Sequence, residues 1–252
     1  MKAILIKSLS LVVLLCAENI LVQAQIDFTK FEIGINANAF IYQGDLTPSK
    51  TGSYRTAKPG LGIYASRIIS PSFSLRTNLV FGKLRGDDAK YSFPAWRQQR
   101  NFNFKTPVSE ISELLVWDIF GTNGNNEILN FSTYVFGGIG LNFMNIKRDW
   151  SHFNTQYFVP ETDLQARITA DANHSLPRTI PVIPLGVGIR YPVTQRLSVS
   201  AETSYRFTFT DYLDGFSQAA NPSRNDHYYS HSIGLIYHFG KKNTLNCPVI
   251  PN

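Results

Sequence analysis

The sequence predicts an all-β fold, an eight-stranded antiparallel up-and-down transmembrane β-barrel of the outer-membrane type. Three observations support this fold class. Long stretches alternate apolar and polar residues with a period of two, which indicates strands with one apolar face. These stretches number eight, an even count, and short turns alternate with long loops between them. The aromatic content of 18 Phe, 12 Tyr and 3 Trp is high, as aromatic girdles at two membrane interfaces require.

The clearest predicted strand covers residues 197–209. Its apolar face ends in the aromatic residues Phe207 and Phe209, whereas its opposite face carries Glu202 and Arg206. A tilted strand needs about 9–11 residues to cross a bilayer, and an ordinary strand is shorter. We therefore expect this strand to belong to a barrel wall with lipid outside and a polar interior.

The other seven strands repeat this pattern along the chain. They are predicted at residues 31–42, about 60–69, 73–82, within 101–120, 131–146, 183–191 and, for the eighth, up to residue 239. The short turns lie near residues 70, 121–130 and 192–195, and the long loops lie at 44–58, 86–99, 147–179 and 211–226. A soluble lipocalin-like barrel is the alternative, but such a barrel buries its apolar face and does not need inner charges. The alternation of turns and loops favours an outer-membrane barrel whose short turns and two termini are periplasmic.

The N-terminus carries a predicted signal peptide at residues 1–24. It has a positively charged start, an apolar core and a small-residue cleavage pattern. The barrel is expected over residues 25–240, followed by a loose periplasmic tail at residues 241–252. Cys247 would be the single cysteine of the mature chain, so we expect no internal disulfide.

Charged residues fall on the strand face opposite the apolar one. The alternation places five of them in the barrel interior: Glu32, Arg76, Arg190, Glu202 and Arg206. The interior of an eight-stranded barrel is just wide enough for side chains, and charges buried there must be paired. We therefore expect a structural polar network that fills the lumen, with a channel as the alternative.

The predicted fourth strand contains two glutamates of opposite parity. Glu110 and Glu113 cannot both face the lumen unless a β-bulge resets the alternation. We expect Glu110 to point inward.

No catalytic, cofactor-binding or metal site is expected. The loop at 147–179 holds His152 and His174 together with four carboxylates, at irregular spacing that matches no metal motif: Asp149, Glu161, Asp163 and Asp171. The formal net charge is +6, but the basic residues are scattered, which argues against nucleic-acid binding.

A serine–histidine pair near the outer end of the last strand is the one candidate for catalysis. His231 stands between Ser230 and Ser232, close to His227, and such a pair could activate a nucleophile. No orienting carboxylate stands at a telling spacing. We therefore expect no enzyme activity from this group.

The end of the last strand resembles the C-terminal insertion signal of outer-membrane barrels. A polar residue, a glycine, a hydrophobic residue and a terminal aromatic stand at fixed offsets, carried by Ser232, Gly234, Tyr237 and Phe239. The resemblance implies recognition by the outer-membrane insertion machinery.

Further motifs are similar to those of a family of small outer-membrane barrels from Bacteroidetes bacteria (DUF6089). They are Tyr42-Gln43-Gly44-Asp45-Leu46, Gly86-Asp87-Asp88-Ala89, Arg100-Asn101-Phe102-Asn103-Phe104, Tyr134-Val135-Phe136-Gly137-Gly138-Ile139-Gly140, Thr210-Asp211-Tyr212-Leu213-Asp214-Gly215 and Ile236-Tyr237-His238-Phe239-Gly240. The family includes PorG-like barrels of the type IX secretion system. The resemblance implies a non-enzymatic anchor or accessory subunit that contacts a periplasmic ring through its periplasmic turns.

The expected partners are therefore outer-membrane lipid, the insertion machinery and periplasmic ring subunits of the type IX system, with no cofactor. Two alternatives stay open. One is a free-standing structural or adhesive outer-membrane barrel, and the other is a lipid-modifying barrel enzyme.

Overall fold

The computed structural model describes residues 28–121 and 131–240. The predicted signal peptide, the predicted C-terminal tail and most of the turn predicted at 121–130 lie outside the described residues. The long strands are β1 (Phe31–Gln43), β2 (Lys58–Ile68), β3 (Phe73–Asp87), β4 (Asn103–Asp118), β5 (Ser132–Met144), β7 (Thr179–Pro192), β8 (Leu197–Thr208) and β9 (His227–His238), and a short strand, β6 (Lys147–Asp149), lies between β5 and β7.

The eight long strands form a closed antiparallel barrel. They pair in the order β3-β2-β1-β9-β8-β7-β5-β4, and a further pairing of β3 with β4 closes the ring. The short strand β6 pairs with the first residues of β4 and continues the position of β5. The predicted eight-stranded antiparallel barrel is therefore confirmed.

The pairing of β3 with β4 contains no bulge. Its register is continuous from Phe73 opposite Trp117 to Asp87 opposite Asn103. The third strand is thus longer than predicted, because Lys83 and Arg85 break the apolar pattern without ending the strand. Both side chains point outward, beyond the apolar part of the wall.

The outward face of the wall is apolar and exposed around the whole barrel. Ile139, Ile233 and Leu61 are 72%, 68% and 67% exposed, as core residues of a soluble protein would not be. We call this surface the outer belt; it comprises Ile33, Ile35, Leu61, Ile63, Leu75, Leu79, Phe81, Ile111, Leu115, Ile139, Leu141, Leu185, Val187, Ile189, Ile233 and Leu235. At the end of the barrel that carries the short turns, the outer belt is bordered by exposed aromatic side chains: Phe73, Trp117, Tyr191, Tyr237 and Phe239.

Inside the barrel, large aromatic rings lie against glycines of neighbouring strands. A Cβ at Gly188 would lie 2.4 Å from the ring of Tyr134, and a Cβ at Gly34 would lie 2.0 Å from the ring of Tyr64. Glycine is required at both positions because any side chain would occupy the volume of the ring. The aromatic rings therefore fill the space in the lumen that the glycines leave open.

Four long loops at one end of the barrel fold into a common unit, which we call the cap. It comprises residues 44–57, 88–102, 145–178 and 209–226, and it contains the helices α1 (Trp96–Arg100) and α2 (Thr162–Asn173). In the described part of the chain, no helix is long and apolar enough to span a membrane.

The cap has a hydrophobic core of its own. Phe102 and Phe216 stack with ring centroids 4.4 Å apart, and Phe153 stacks on Phe158 at 5.1 Å. The loop at 147–179, which the sequence presents as polar, therefore contributes buried aromatic residues and a helix. Leu164 and Ile168 stand at helical spacing, but Phe153 and Phe158 follow neither strand nor helix periodicity, so the burial of these two rings is not visible in the sequence.

Candidate functional site

The lumen contains a network of paired charges close to the end of the short turns. Arg76 on β3 donates a hydrogen bond from Nη1 to Glu202 Oε1 on β8 over 2.7 Å. The hydroxyl of Tyr134 donates to the same oxygen, also over 2.7 Å. The side chains of Arg76 and Glu202 are only 1% and 8% exposed. The ring of Tyr64 lies under the Arg76 guanidinium, with 4.6 Å to the ring centroid.

A second carboxylate in the same region, Glu32 on β1, has two partners. Arg190 Nη1 on β7 donates to Glu32 Oε1 over 3.2 Å, and His238 Nδ1 on β9 lies 2.9 Å from the same oxygen. Glu32 is 2% exposed. Its charge is therefore balanced within the lumen rather than by water.

The third ion pair lies nearer to the cap. Arg206 Nε on β8 donates to Glu110 Oε2 on β4 over 3.2 Å, and Tyr228 OH donates to the same oxygen over 2.9 Å. Arg206 Nη1 also donates to Ser230 Oγ over 2.6 Å. Glu110 therefore points inward and Glu113 outward, since β4 contains no bulge.

All five residues that the sequence predicts for the lumen, Glu32, Arg76, Arg190, Glu202 and Arg206, lie there and form three ion pairs together with Glu110. Strand alternation alone does not identify partners that lie across the barrel. It does place His238 and Ser198 on inward positions, although no motif in the sequence indicates that these two side chains meet.

Ser198, His238 and Glu32 lie in the order of a nucleophile, a base and an orienting carboxylate. Ser198 Oγ lies 2.9 Å from His238 Nε2, and His238 Nδ1 lies 2.9 Å from Glu32 Oε1. However, Ser198 has 0% exposure, and Glu32 also holds Arg190. Ser198 therefore presents no surface to a substrate in this arrangement.

The serine–histidine pair considered in the sequence does not form. Ser230 and Ser232 face the lumen, whereas His231 faces outward. The two nitrogens of His231 lie 2.9 Å from Tyr54 OH and 2.9 Å from Thr203 Oγ1. His231 does not pair with either serine because neighbouring residues of a strand point to opposite sides of the wall.

The carboxylates of the cap satisfy backbone groups. Asp171 at the end of α2 accepts hydrogen bonds from the N–H groups of Ser217, Gln218 and Ala219 at 3.2, 3.0 and 2.9 Å. Among residues 28–121 and 131–240, no group of three or more His, Cys, Asp or Glu could hold a metal ion.

Burial shifts the protonation of several cap carboxylates. Desolvation raises the pKa of Asp45 to about 6 and that of Asp211 to about 7. Burial also raises the pKa of Asp214 and of Asp226 well above the usual range. Tyr42 OH lies 2.7 Å from an oxygen of Asp214 and 2.7 Å from an oxygen of Asp226. A hydroxyl donates one proton, so the second contact requires a protonated carboxyl, in agreement with the raised pKa values.

The residues that resemble an insertion signal occupy both faces of β9. Ser232 and Gly234 face the lumen, whereas Tyr237 points outward. Phe239 follows the last residue of β9, and its ring makes an edge contact with Tyr237 at 5.3 Å. The two aromatic residues thus lie at the edge of the outer belt beside the short turns.

Several solved barrels resemble this chain. The crystal structure of Neisserial surface protein A (NspA) is 14% identical, with 83% of this chain and 97% of that chain covered and a TM-score of 0.47. A second similar structure is Ail, the attachment invasion locus protein of Yersinia pestis, solved in complex with the heparin analogue sucrose octasulfate. It is 11% identical, with 82% of this chain and 96% of that chain covered and a TM-score of 0.43. The outer membrane enzyme PagL is 10% identical, with 80% and 97% covered and a TM-score of 0.38.

At these identities and TM-scores the likeness concerns architecture and carries no information about function. No curated protein sequence matches the chain. The sequence model of one family, described as Domain of unknown function (DUF6089), matches residues 6–248. Because this match spans nearly the whole sequence, the chain belongs to the DUF6089 family, as its motifs predicted.

Proposed function

We propose that the protein is a non-enzymatic β-barrel of the outer membrane and that it serves as an anchor or accessory subunit of a type IX secretion apparatus. The observation that carries the membrane location is the outer belt. Its apolar side chains are exposed around the wall, while six charged side chains of the strands are buried inside: Glu32, Arg76, Glu110, Arg190, Glu202 and Arg206. A soluble eight-stranded barrel has the opposite distribution, and lipid is the solvent that suits the observed one.

The orientation follows from the lengths of the connections. Outer-membrane barrels keep short turns in the periplasm and long loops outside. Residues 69–72 and 193–196 would then face the periplasm, and the cap would face the cell exterior. Residues 28 and 240, where the described part of the barrel begins and ends, lie on the side of the short turns, so the termini beyond them would be periplasmic.

The absence of enzyme or channel activity is proposed because the lumen is filled. The ion pairs are buried, and aromatic rings such as Tyr64 and Tyr134 occupy the space between the strands. The surfaces that remain for a partner protein are the outer belt, the cap and the short turns. Contact with a periplasmic ring would use the short turns, together with outer-membrane lipid around the belt.

The secretion role rests on membership of the DUF6089 family and on the similarity of the motifs to PorG-like barrels of Bacteroidetes. Its test is a clean deletion in the native host. We expect failed export of type IX cargo, and co-purification of the tagged barrel with periplasmic ring subunits. Intact export after deletion would overturn the secretion role and favour a free-standing barrel.

The membrane location has a separate test. The unheated protein should migrate differently from the boiled protein on a denaturing gel, and it should fractionate with outer membranes. A protein that stays in the soluble periplasmic fraction would contradict the location itself.

A free-standing adhesive barrel is the second candidate, and the folded cap favours it. The cap surface contains a groove of about 500 Å³ lined by Trp96, Lys50 and Arg224, among other polar residues. Such a folded surface with a polar groove would suit the binding of an external partner. If this candidate holds, deletion should reduce adhesion to host or neighbouring cells while leaving secretion intact.

A lipid-modifying enzyme is the third candidate, because Ser198, His238 and Glu32 are aligned for nucleophilic catalysis. Its test is the lipid A profile of cells with and without the protein. Identical profiles would eliminate it.

A further inference from the structure

Glu113 is an ionisable residue at the centre of the outer belt. It lies on β4 opposite Thr77 of β3 and Ile139 of β5. The outward pairs Leu75–Leu115 and Phe73–Trp117 separate it from one end of the barrel. On the other side, the outward pairs Leu79–Ile111 and Phe81–Ser109 separate it from the other end. If the barrel spans a membrane as proposed, this carboxyl group lies near the middle of the bilayer.

Within the wall, Glu113 has one hydrogen-bond partner. Thr77 Oγ1 donates to Glu113 Oε2 over 2.7 Å. The second oxygen, Oε1, has no hydrogen-bond partner among residues 28–121 and 131–240, and the carboxylate forms no ion pair with a residue of this part of the chain. A carboxylate in lipid is costly without a partner, and such residues usually mark a functional contact. The uncompensated oxygen therefore points to a partner outside this chain.

The wall beside Glu113 is concave and its strand pairing is interrupted. A groove of about 600 Å³ runs along the outer surface and is lined by Glu113, Ile139 and Pro181, among others. The register of β5 with β7 stops after Gly137 opposite Leu185 and resumes at Gly140 opposite Val182. Pro184 lies in this gap and has no N–H to donate. The groove thus combines an acidic group with a locally weakened ladder, which a flat lipid-facing wall does not need.

A second copy of this chain does not supply the complementary charge. On the described wall, the outward Lys and Arg side chains lie near the ends of strands: Arg67, Lys83, Arg85 and Lys105. The outward His231 is not available as a cation for a second copy, because its two nitrogens already lie 2.9 Å from Tyr54 OH and 2.9 Å from Thr203 Oγ1. The partner must therefore be a different membrane protein.

We propose that the outward face of β3, β4 and β5 around Glu113 is a docking surface for a membrane-embedded segment of another protein, and that this segment presents a Lys or Arg side chain at the depth of Glu113. The cation would pair with Glu113 Oε1 while Thr77 keeps Oε2 oriented. This inference rests on the proposed membrane location. It does not depend on the secretion role.

The test uses the full-length protein in its native outer membrane. A photo-crosslinking amino acid replaces Ile139, next to Glu113, and in a control strain it replaces Ile35 on β1, on the opposite side of the barrel. We expect a discrete adduct with one membrane protein at position 139 and not at position 35. The crosslinked peptide should map to a membrane-spanning segment that contains Lys or Arg.

The charge is tested by variants in the same strain. Glu113→Gln keeps a hydrogen-bond acceptor and should reduce the adduct by about tenfold, the loss expected for one charge-assisted hydrogen bond. Glu113→Lys should abolish it, and replacing the mapped Lys or Arg of the partner by Glu should restore it. Thr77→Val, which removes the orienting hydroxyl but keeps the charge, should weaken the adduct less than Glu113→Gln.

Three outcomes would overturn the inference. They are adducts with lipid only, adducts with a second copy of the chain, and a protein adduct that Glu113→Gln leaves unchanged. The gel shift and membrane fractionation of each variant are recorded in parallel. If the wild-type protein is absent from the outer membrane, the proposed location has failed; if it is present and the adducts are lipid only, the docking surface alone has failed.

Discussion

Replacing Glu202 with alanine should destabilise the barrel strongly, because it leaves a charge alone in the lumen. Arg76 has a side chain that is 1% exposed, and Glu202 is its single ion-pair partner in the described residues. Removing one member of a buried ion pair typically costs about 3–5 kcal/mol, most of it from the charge left behind. We therefore expect the free energy of unfolding to fall by about 3–5 kcal/mol in Glu202→Ala.

Two matched variants separate the charge from the packing. Glu202→Gln keeps an acceptor for Arg76 and Tyr134, so it should cost about half as much as the alanine variant. The double variant Arg76→Met/Glu202→Leu removes both charges and fills their volume. Its stability should lie within about 1–2 kcal/mol of the wild type, or above it.

The measurement is urea unfolding of the refolded barrel in detergent micelles. Tryptophan fluorescence gives the free energy of unfolding, and the gel shift of unheated samples reports the folded barrel independently. A loss of less than about 1 kcal/mol in Glu202→Ala, the size of an average substitution, would contradict a large penalty from the charge left on Arg76. A double variant as unstable as the single one would contradict it as well.

Four further predictions concern the cap, the outer belt and the aligned serine. Asp211 has a folded pKa of about 7 against an ordinary value of 3.8, so the stability it contributes is complete below about pH 4 and is lost as the pH rises through 7; the cap should be cleaved faster by protease at pH 8 than at pH 5, and Asp211→Asn should reduce this difference. Phe216→Ala removes a ring stacked in the cap core and should cost about 3–5 kcal/mol, exposing the cap to protease while the gel shift of the barrel persists. Glu113→Leu should stabilise the barrel in lipid vesicles by about 1–2 kcal/mol, because it removes a polar group from the apolar belt; an unchanged or lower unfolding free energy would contradict this. A fluorophosphonate probe should leave Ser198 unlabelled in the folded protein, and labelling that disappears in Ser198→Ala would reopen the enzyme candidate.

The wall of the barrel could be predicted from the sequence because strand alternation records the two faces directly. The inward orientation of Glu110 could also be predicted. Glu110 has the same parity as the other inward residues of its strand, and β4 contains no bulge that would reverse the alternation. The partners of each charge could not be predicted. The contact between Arg76 and Glu202 depends on the stagger of strands around the ring, and no local pattern in the sequence encodes that stagger.

The cap could not be predicted for a different physical reason. Its core brings together Phe102, Phe153 and Phe216 from three loops, and no periodic pattern links these three positions. Asp171 satisfies the backbone of residues 217–219, which are more than forty positions away in the chain. Such contacts join residues that are distant in the chain. Local secondary-structure propensity and hydrophobic periodicity therefore do not predict them.

The three lumen ion pairs also have a consequence for how the barrel assembles. Their partners are separated by 126, 158 and 96 residues in the sequence, so no hairpin of neighbouring strands can form any of them. Glu32 on the first strand also contacts His238 on the last, at the seam where the two ends of the sheet meet. A partly assembled chain therefore exposes unpaired charges that oppose its entry into lipid, and these charges are neutralised together when the ring closes. The network makes insertion favourable only for the complete barrel.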